Sequence, residues 1–206
     1  MNRLRQAAHV PLARRLAGLT VQRRNVHTRR KPSFEPLLAR AFSHPEGAGV
    51  IGPGAQRLLR TVLVNALTCG EGGCGVFIAR RDLERLFGAA SSRLSTRFAP
   101  VMHVTDTLED AIERLESRPP HLTVAGLVSH KPTLWLATPG ADADVVHQAL
   151  ENQPATDLVS LFNGPWPYGP THFIDLDGPR RLPEHDLHLL NRDQAIAELH
   201  AFDSPL

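Results

Sequence analysis

From residue 49 onward the chain repeats one pattern: a short apolar run, a Gly- or Pro-marked turn, then a stretch with apolar residues at helical spacing. Gly49–Ile51 predicts a strand, Gly52-Pro53-Gly54 a turn, and Ala55–Thr68 a helix. In that helix Leu58, Leu59, Val62, Leu63, Ala66 and Leu67 fall at i, i+3, i+4 positions. Gly75–Ala79 predicts a second strand, and Arg81–Phe87 a short helix closed by Gly88. Val101–Val104 predicts a third strand. The helix Leu108–Glu116 follows it, with Thr105 or Thr107 as its cap, Glu109 or Asp110 in its first turn, and Pro119-Pro120 beyond its end. Leu122–Ser129 and Thr133–Ala137 read as strands around a Ser-His-Lys-Pro turn, and Ala143–Glu151 as a helix capped by Asp142. Asp157–Phe162 and His172–Leu176 are further strands, and Arg192–Phe202 a closing helix.

Strands alternating with helices of this size imply βαβ units. Right-handed crossovers then place helices on both faces of a mostly parallel sheet. The expected fold is α/β, doubly wound and Rossmann-like, over residues 47–206. Residues 1–46 break the pattern and are expected as a basic, largely disordered arm and linker. Pro11 interrupts the one helical stretch there, around Leu4–Leu19. Phe34, Leu37, Leu38 and Phe42 are apolar residues of the linker that can pack onto the body.

Charge sharpens this division. Residues 1–46 hold ten Lys and Arg against two acidic residues, a net of +8, and residues 47–206 hold thirteen against nineteen, a net of −6. An acidic body is a poor ligand for phosphate backbones, whereas the arm suits them. Its basic residues include Arg14, Arg15, Arg23, Arg24, Arg29, Arg30 and Lys31, with no acid among the first 31 residues. Counterion release on nucleic acid, or attraction to an anionic membrane surface, is the chemistry such a segment offers. No aromatic residues are interleaved to stack on bases. The same composition marks mitochondrial transit peptides. Arg replaces Lys throughout, Lys31 and Lys131 being the two lysines, which favours a high-GC bacterial chain. No run reaches the length of a membrane span and no apolar segment follows the first charges, so the expected location is the cytoplasm, with membrane association through the arm as the alternative.

Candidate chemistry is sparse. Gly52, Gly54 and Ala55 form a strand-to-helix turn of the kind that cradles phosphates, with Arg57 beside it, and a nucleotide is the one cofactor considered. The turn lacks the Lys-Ser/Thr of a Walker loop and the third Gly of a dinucleotide fingerprint, and Pro53 carries no N–H. Cys69 and Cys74 bracket a Gly-rich loop and offer a small disulfide or half a zinc site, without a second ligand pair. The eleven histidines, among them His172, His185, His188 and His200, show no metal spacing and read as surface residues. No metal site and no catalytic residue is assigned. Gly164-Pro165-Trp166-Pro167-Tyr168-Gly169-Pro170 is the most unusual segment. Its prolines stiffen it, and Trp166 and Tyr168 are either preorganised contact residues for a partner or a lid folded back on the sheet.

Several segments together carry a resemblance. They are Gly52-Pro53-Gly54-Ala55 with Leu59–Leu67, Ile78–Gly88, Val101–Ala111, and Gly164–Gly169. They resemble a soluble α/β domain of large actinobacterial membrane proteins, some of which carry LysM or bacterial transcriptional-activator domains and an Arg-rich segment after their membrane helices. The resemblance spans roughly residues 49–202. It implies a Rossmann-like or P-loop shape without intact nucleotide motifs, and no catalytic residues. The expected function is a non-catalytic regulatory or protein-interaction module. Nucleic-acid or anionic-surface binding through the arm, and nucleotide binding at Gly52–Ala55, are the alternatives.

Overall fold

A computed structural model describes residues 37–69, 74–117, 132–153, 158–180 and 187–202. The arm residues Arg14, Arg15, Arg23, Arg24, Arg29, Arg30 and Lys31, the Leu122–Ser129 strand and His185 lie outside the described residues.

Seven strands form one sheet: β1 (Ala48–Ile51), β2 (Gly75–Ala79), β3 (Met102–Thr105), β4 (Thr133–Ala137), β5 (Leu158–Asn163), β6 (Thr171–Asp175) and β7 (Gly178–Pro179). Their spatial order is β3-β2-β4-β5-β1-β6-β7. All pairings are parallel except β6 with β7. Six helices accompany them among the described residues: α1 (Ala55–Thr68), α2 (Arg80–Phe87), α3 (Ser91–Arg97), α4 (Leu108–Glu116), α5 (Ala143–Glu151) and α6 (Arg192–Ala201).

The central strands are apolar on both faces, as parallel strands covered on two sides must be. All five residues of β4 are buried. Their alternation feeds two cores: Leu134 and Leu136 pack with Leu58, Leu83, Leu94 and Leu199 of α1, α2, α3 and α6, whereas Trp135 and Ala137 pack with Leu115 of α4 and Val146 of α5. Helices therefore cover both faces, and the fold is the expected doubly wound α/β sheet.

Several local features differ from the sequence expectation. Ten of the fourteen residues of α1 are buried, although its apolar stripe is one-sided. The reason is α6, which packs on α1 away from the sheet, and the Leu190 N–H donates to Thr61 Oγ1 at 2.8 Å. The apolar linker residues Leu37 and Phe42 pack onto the body, whereas residues 43–46 stay exposed. A 3-10 turn at Leu38–Phe42 puts Leu37, Ala39 and Phe42 into the first core, and Asn65 Oδ1 of α1 accepts from Leu38 N–H. The short α3 is mostly polar and held by Leu94 and the following Phe98, too few apolar positions for a periodic signal. Thr107 caps α4 in a reciprocal box with Asp110. Asp142 makes no side-chain cap on α5. The helix is entered from a 3-10 turn in which Asp142 N–H already bonds Pro139 O, so the chain is turning helically before α5 begins.

Candidate functional site

In open α/β sheets ligands bind beyond the carboxyl ends of strands, where neighbouring crossovers leave on opposite faces. Here β2 is followed by α2 on one face and the adjacent β4 by α5 on the other. The crevice between them is lined by Gln56 and Leu59 of α1, Asp82 and Arg85 of α2, and Thr138 and Asn163 at the ends of β4 and β5. These polar groups are bonded to one another. Asp82 Oδ1 accepts from Thr138 Oγ1 at 2.6 Å and from the Arg85 guanidinium at 2.8 Å, and Asp82 Oδ2 accepts from Thr138 N–H at 3.1 Å. Asn163 Nδ2 donates to Thr138 Oγ1 at 3.3 Å. The cluster ties α2 to the ends of β4 and β5. The space it leaves, about 10 Å³, is no larger than a single water needs. Sequence reasoning did not find it. Asp82 and Arg85 were legible as an i,i+3 pair, but nothing local points to Thr138 or Asn163.

The Gly52–Ala55 turn is occupied by protein. A Cβ on Gly54 would stand 2.0 Å from Asp175 O, and one on Gly52, at φ +102°, would stand 2.5 Å from Ile174 O. Gly54 N–H donates to Ile174 O at 2.9 Å, and Ala55 N–H to Gly52 O at 3.2 Å. The glycines serve close approach of β6, and two of the amides expected to face a phosphate already have partners. Arg57 is half-buried next to Arg60, whose guanidinium bonds Leu86 O at 2.8 Å, a basic cap on the C-terminal end of α2. Burial, then the charges of Arg192 and Arg57, lower the pKa of Arg60.

The Gly164–Pro170 loop folds back as a lid. It crosses β1 on the second face, so close that a Cβ on Gly49 would meet Gly164 O at 2.6 Å and Trp166 N at 2.8 Å. Trp166 is 3% exposed, packs on Phe162, and donates from Nε1 to Glu46 O at 2.7 Å. It is thus a core residue and not an exposed anchor for a partner, because an indole of this size gains more by burial against Phe162 than at the surface. Tyr168 is half-buried, stacks on His147 at 4.0 Å, and its hydroxyl hydrogen-bonds Asp144.

The apolar surface lies elsewhere. Large exposed hydrophobic residues among the described ones are Val145 (52%), Phe173 (39%) and Leu176 (52%), two of them on the β6–β7 hairpin. Arg180 covers one face of the Phe173 ring at 4.4 Å and is held by Asp175 through Nε and an Nη at 3.0 and 3.1 Å. β6 alternates its backbone groups. Those of Pro170 and Ile174 bond Gly49 and Gly54, so Thr171 and Phe173 turn theirs away from β1. Arg180 N–H reaches Phe173 O at 3.3 Å, and β7 pairs only with Ile174 and Asp175. Beyond that bond, the outer edge at Thr171 has no strand beside it among the described residues.

Cys69 and Cys74 are free thiols with their sulfurs 3.8 Å apart. Among the described residues no cluster of three or more His, Cys, Asp or Glu side chains could hold a metal, and no helix is long and apolar enough to cross a membrane. Compared with protein-family models, with curated proteins and with solved structures, the chain finds no significant match.

Proposed function

We propose that this chain is a regulatory or protein-interaction module, without catalysis of its own, that engages an extended segment of a protein partner along the β6 edge. The carrying observation is the hairpin surface, where exposed Phe173 and Leu176 adjoin the outward-facing backbone of Thr171, beyond the point where Phe173 O accepts from Arg180 N–H. A segment added there would pair main chain to main chain and place an apolar side chain against Phe173. Arg180, clamped by Asp175, keeps that ring and the adjoining charge in one arrangement, which reduces the ordering cost of binding.

The test uses partners cross-linked by the full-length chain and then purified. Phe173→Asp with Leu176→Asp is expected to weaken binding about tenfold or more while the circular dichroism and melting temperature stay unchanged. Undiminished affinity for every such partner overturns the β6 edge. A nucleotide that raises the melting temperature by several degrees, with the rise abolished by Arg57→Ala, overturns the reading in favour of a ligand at Gly52–Ala55.

The ten basic residues of positions 1–46 support a second, separable role in binding nucleic acid or an anionic membrane surface. That binding is expected to fall steeply with salt and to disappear when residues 1–31 are deleted.

A further inference from the structure

Two thiols meet where α1 ends and β2 begins. Cys69 is the residue that closes α1, its N–H donating to Asn65 O at 2.9 Å. Cys74 immediately precedes β2, and its N–H reaches back to Ala66 O at 3.4 Å. The last turn of α1 thereby holds both backbones, and their sulfurs face each other at 3.8 Å. The two are unequal. Cys74 is 1% exposed and part of the first core, whereas Cys69 is half-buried and within reach of solvent. The proteins' usual arrangement for a dithiol that cycles is one accessible attacking thiol and one shielded partner.

We infer that Cys69 and Cys74 form a reversible dithiol–disulfide site that exchanges with low-molecular-weight disulfides, with Cys69 as the attacking sulfur and Cys74 as the resolving one. The Cys69 thiolate attacks one sulfur of the small disulfide. Its S–S bond breaks, a mixed disulfide forms on Cys69, and one small thiolate leaves. Cys74 then gives up its proton and attacks Cys69 sulfur. The protein disulfide forms as the second small thiolate leaves and takes that proton. The protein loses two electrons, and the small disulfide gains them as two thiols. Closure brings the sulfurs from 3.8 Å to the ~2 Å of a disulfide bond. It ties the end of α1 to the start of β2.

The electrostatics favour this division of roles. The contact with Cys74 brings the Cys69 thiol down to about 6, against burial, which raises it. The same contact, with burial, pushes Cys74 up, and Arg40 of the Leu38–Phe42 turn opposes that rise. Cys69 stands at the negative end of α1, where the helix dipole disfavours a thiolate. The contact with Cys74, helped by the backbone hydrogen bonds of both cysteines, is therefore what activates it.

The experiment equilibrates the full chain in reduced and oxidised glutathione, blocks free thiols with an alkylating agent, and reads intact mass and non-reducing peptide maps. Expected is an internal Cys69–Cys74 disulfide that dithiothreitol reverses and that raises the melting temperature by about 5 °C. Cys74→Ser should instead accumulate one glutathione on Cys69, and Cys69→Ser should react at neither position. Alkylation of Cys69 in the native chain should rise with a midpoint near pH 6. In Cys74→Ala the midpoint should return to the ordinary thiol range, about 8.5. The proposal is overturned if the native chain keeps two free thiols in oxidising buffer, if only disulfides between chains form, or if Cys69→Ser and Cys74→Ser give the same product.

Discussion

At single positions, close backbone approach explains residues that composition alone suggests for other uses. Gly54 reads as part of a phosphate turn, yet its missing side chain makes room for Asp175 O. Gly54→Ala is expected to destabilise the fold by about 1–3 kcal/mol through overpacking, read by urea denaturation. Trp166 follows the same logic. With its ring enclosed by Phe162 and its Nε1 bonded to Glu46 O, Trp166→Ala is expected to lower unfolding free energy by about 3–5 kcal/mol. Its effect on partner binding should then vanish once compared at equal folded fraction. Thr138 bonds both carboxylate oxygens of Asp82. Thr138→Val keeps the shape and the backbone donor but removes the hydroxyl, and a loss of about 1–3 kcal/mol in chemical denaturation is expected. A neutral outcome would show that Arg85 and the backbone N–H of residue 138 satisfy Asp82 without the hydroxyl.

Among the elements, α6 is capped at its start and held to the outer face of α1 by a hydrogen bond and two buried residues. It begins with a reciprocal cap, Asn191 accepting from Gln194 N–H and Gln194 accepting from Asn191 N–H, each at 2.9 Å. Its Ala195 and Leu199 are fully buried over α1. Asn191→Ala is expected to cost about 1 kcal/mol, and hydrogen exchange should show α6 opening more often, with the outer face of α1 following it. Unchanged protection in α1 would mean that α6 contributes nothing to its shielding. Within α1, Thr61 Oγ1 accepts from Leu190 N–H, one residue before the cap, so both contacts hold the N-terminal end of α6.

Across the whole chain, net charge and exposed apolar residues fall in different stretches of sequence. The net positive charge belongs to positions 1–46, and the exposed Phe173 and Leu176 belong to the β6–β7 end of the sheet. Two kinds of partner can therefore be distinguished by salt. Binding through residues 1–31 should weaken steeply between low and physiological ionic strength, whereas docking at Phe173 should change little. A steep salt dependence of a Phe173-sensitive interaction would contradict that separation.

How much of this was legible depends on the range of the interactions involved. The helices α1 and α4, the strands β2 and β4 and the doubly wound class followed from the chain itself, because apolar periodicity, Thr107 with Asp110, and glycine turns act over a few residues. The redundancy of many apolar positions makes such signals robust. Apart from the local Asp82–Arg85 pair, the candidate site was decided by contacts distant in sequence. Thr138 meets Asp82 across 56 positions, Trp166 meets Glu46 across 120, and Leu190 meets Thr61 across 129. No local pattern encodes which strand end lies beside which helix. Sheet order therefore determined that the glycine turn faces β6, that the Trp166 loop is a lid, and that Phe173 and Leu176 remain outside. The sequence placed the two cysteines at either end of a loop. Only the packing of α1 against β2 brought their sulfurs within reach of a bond.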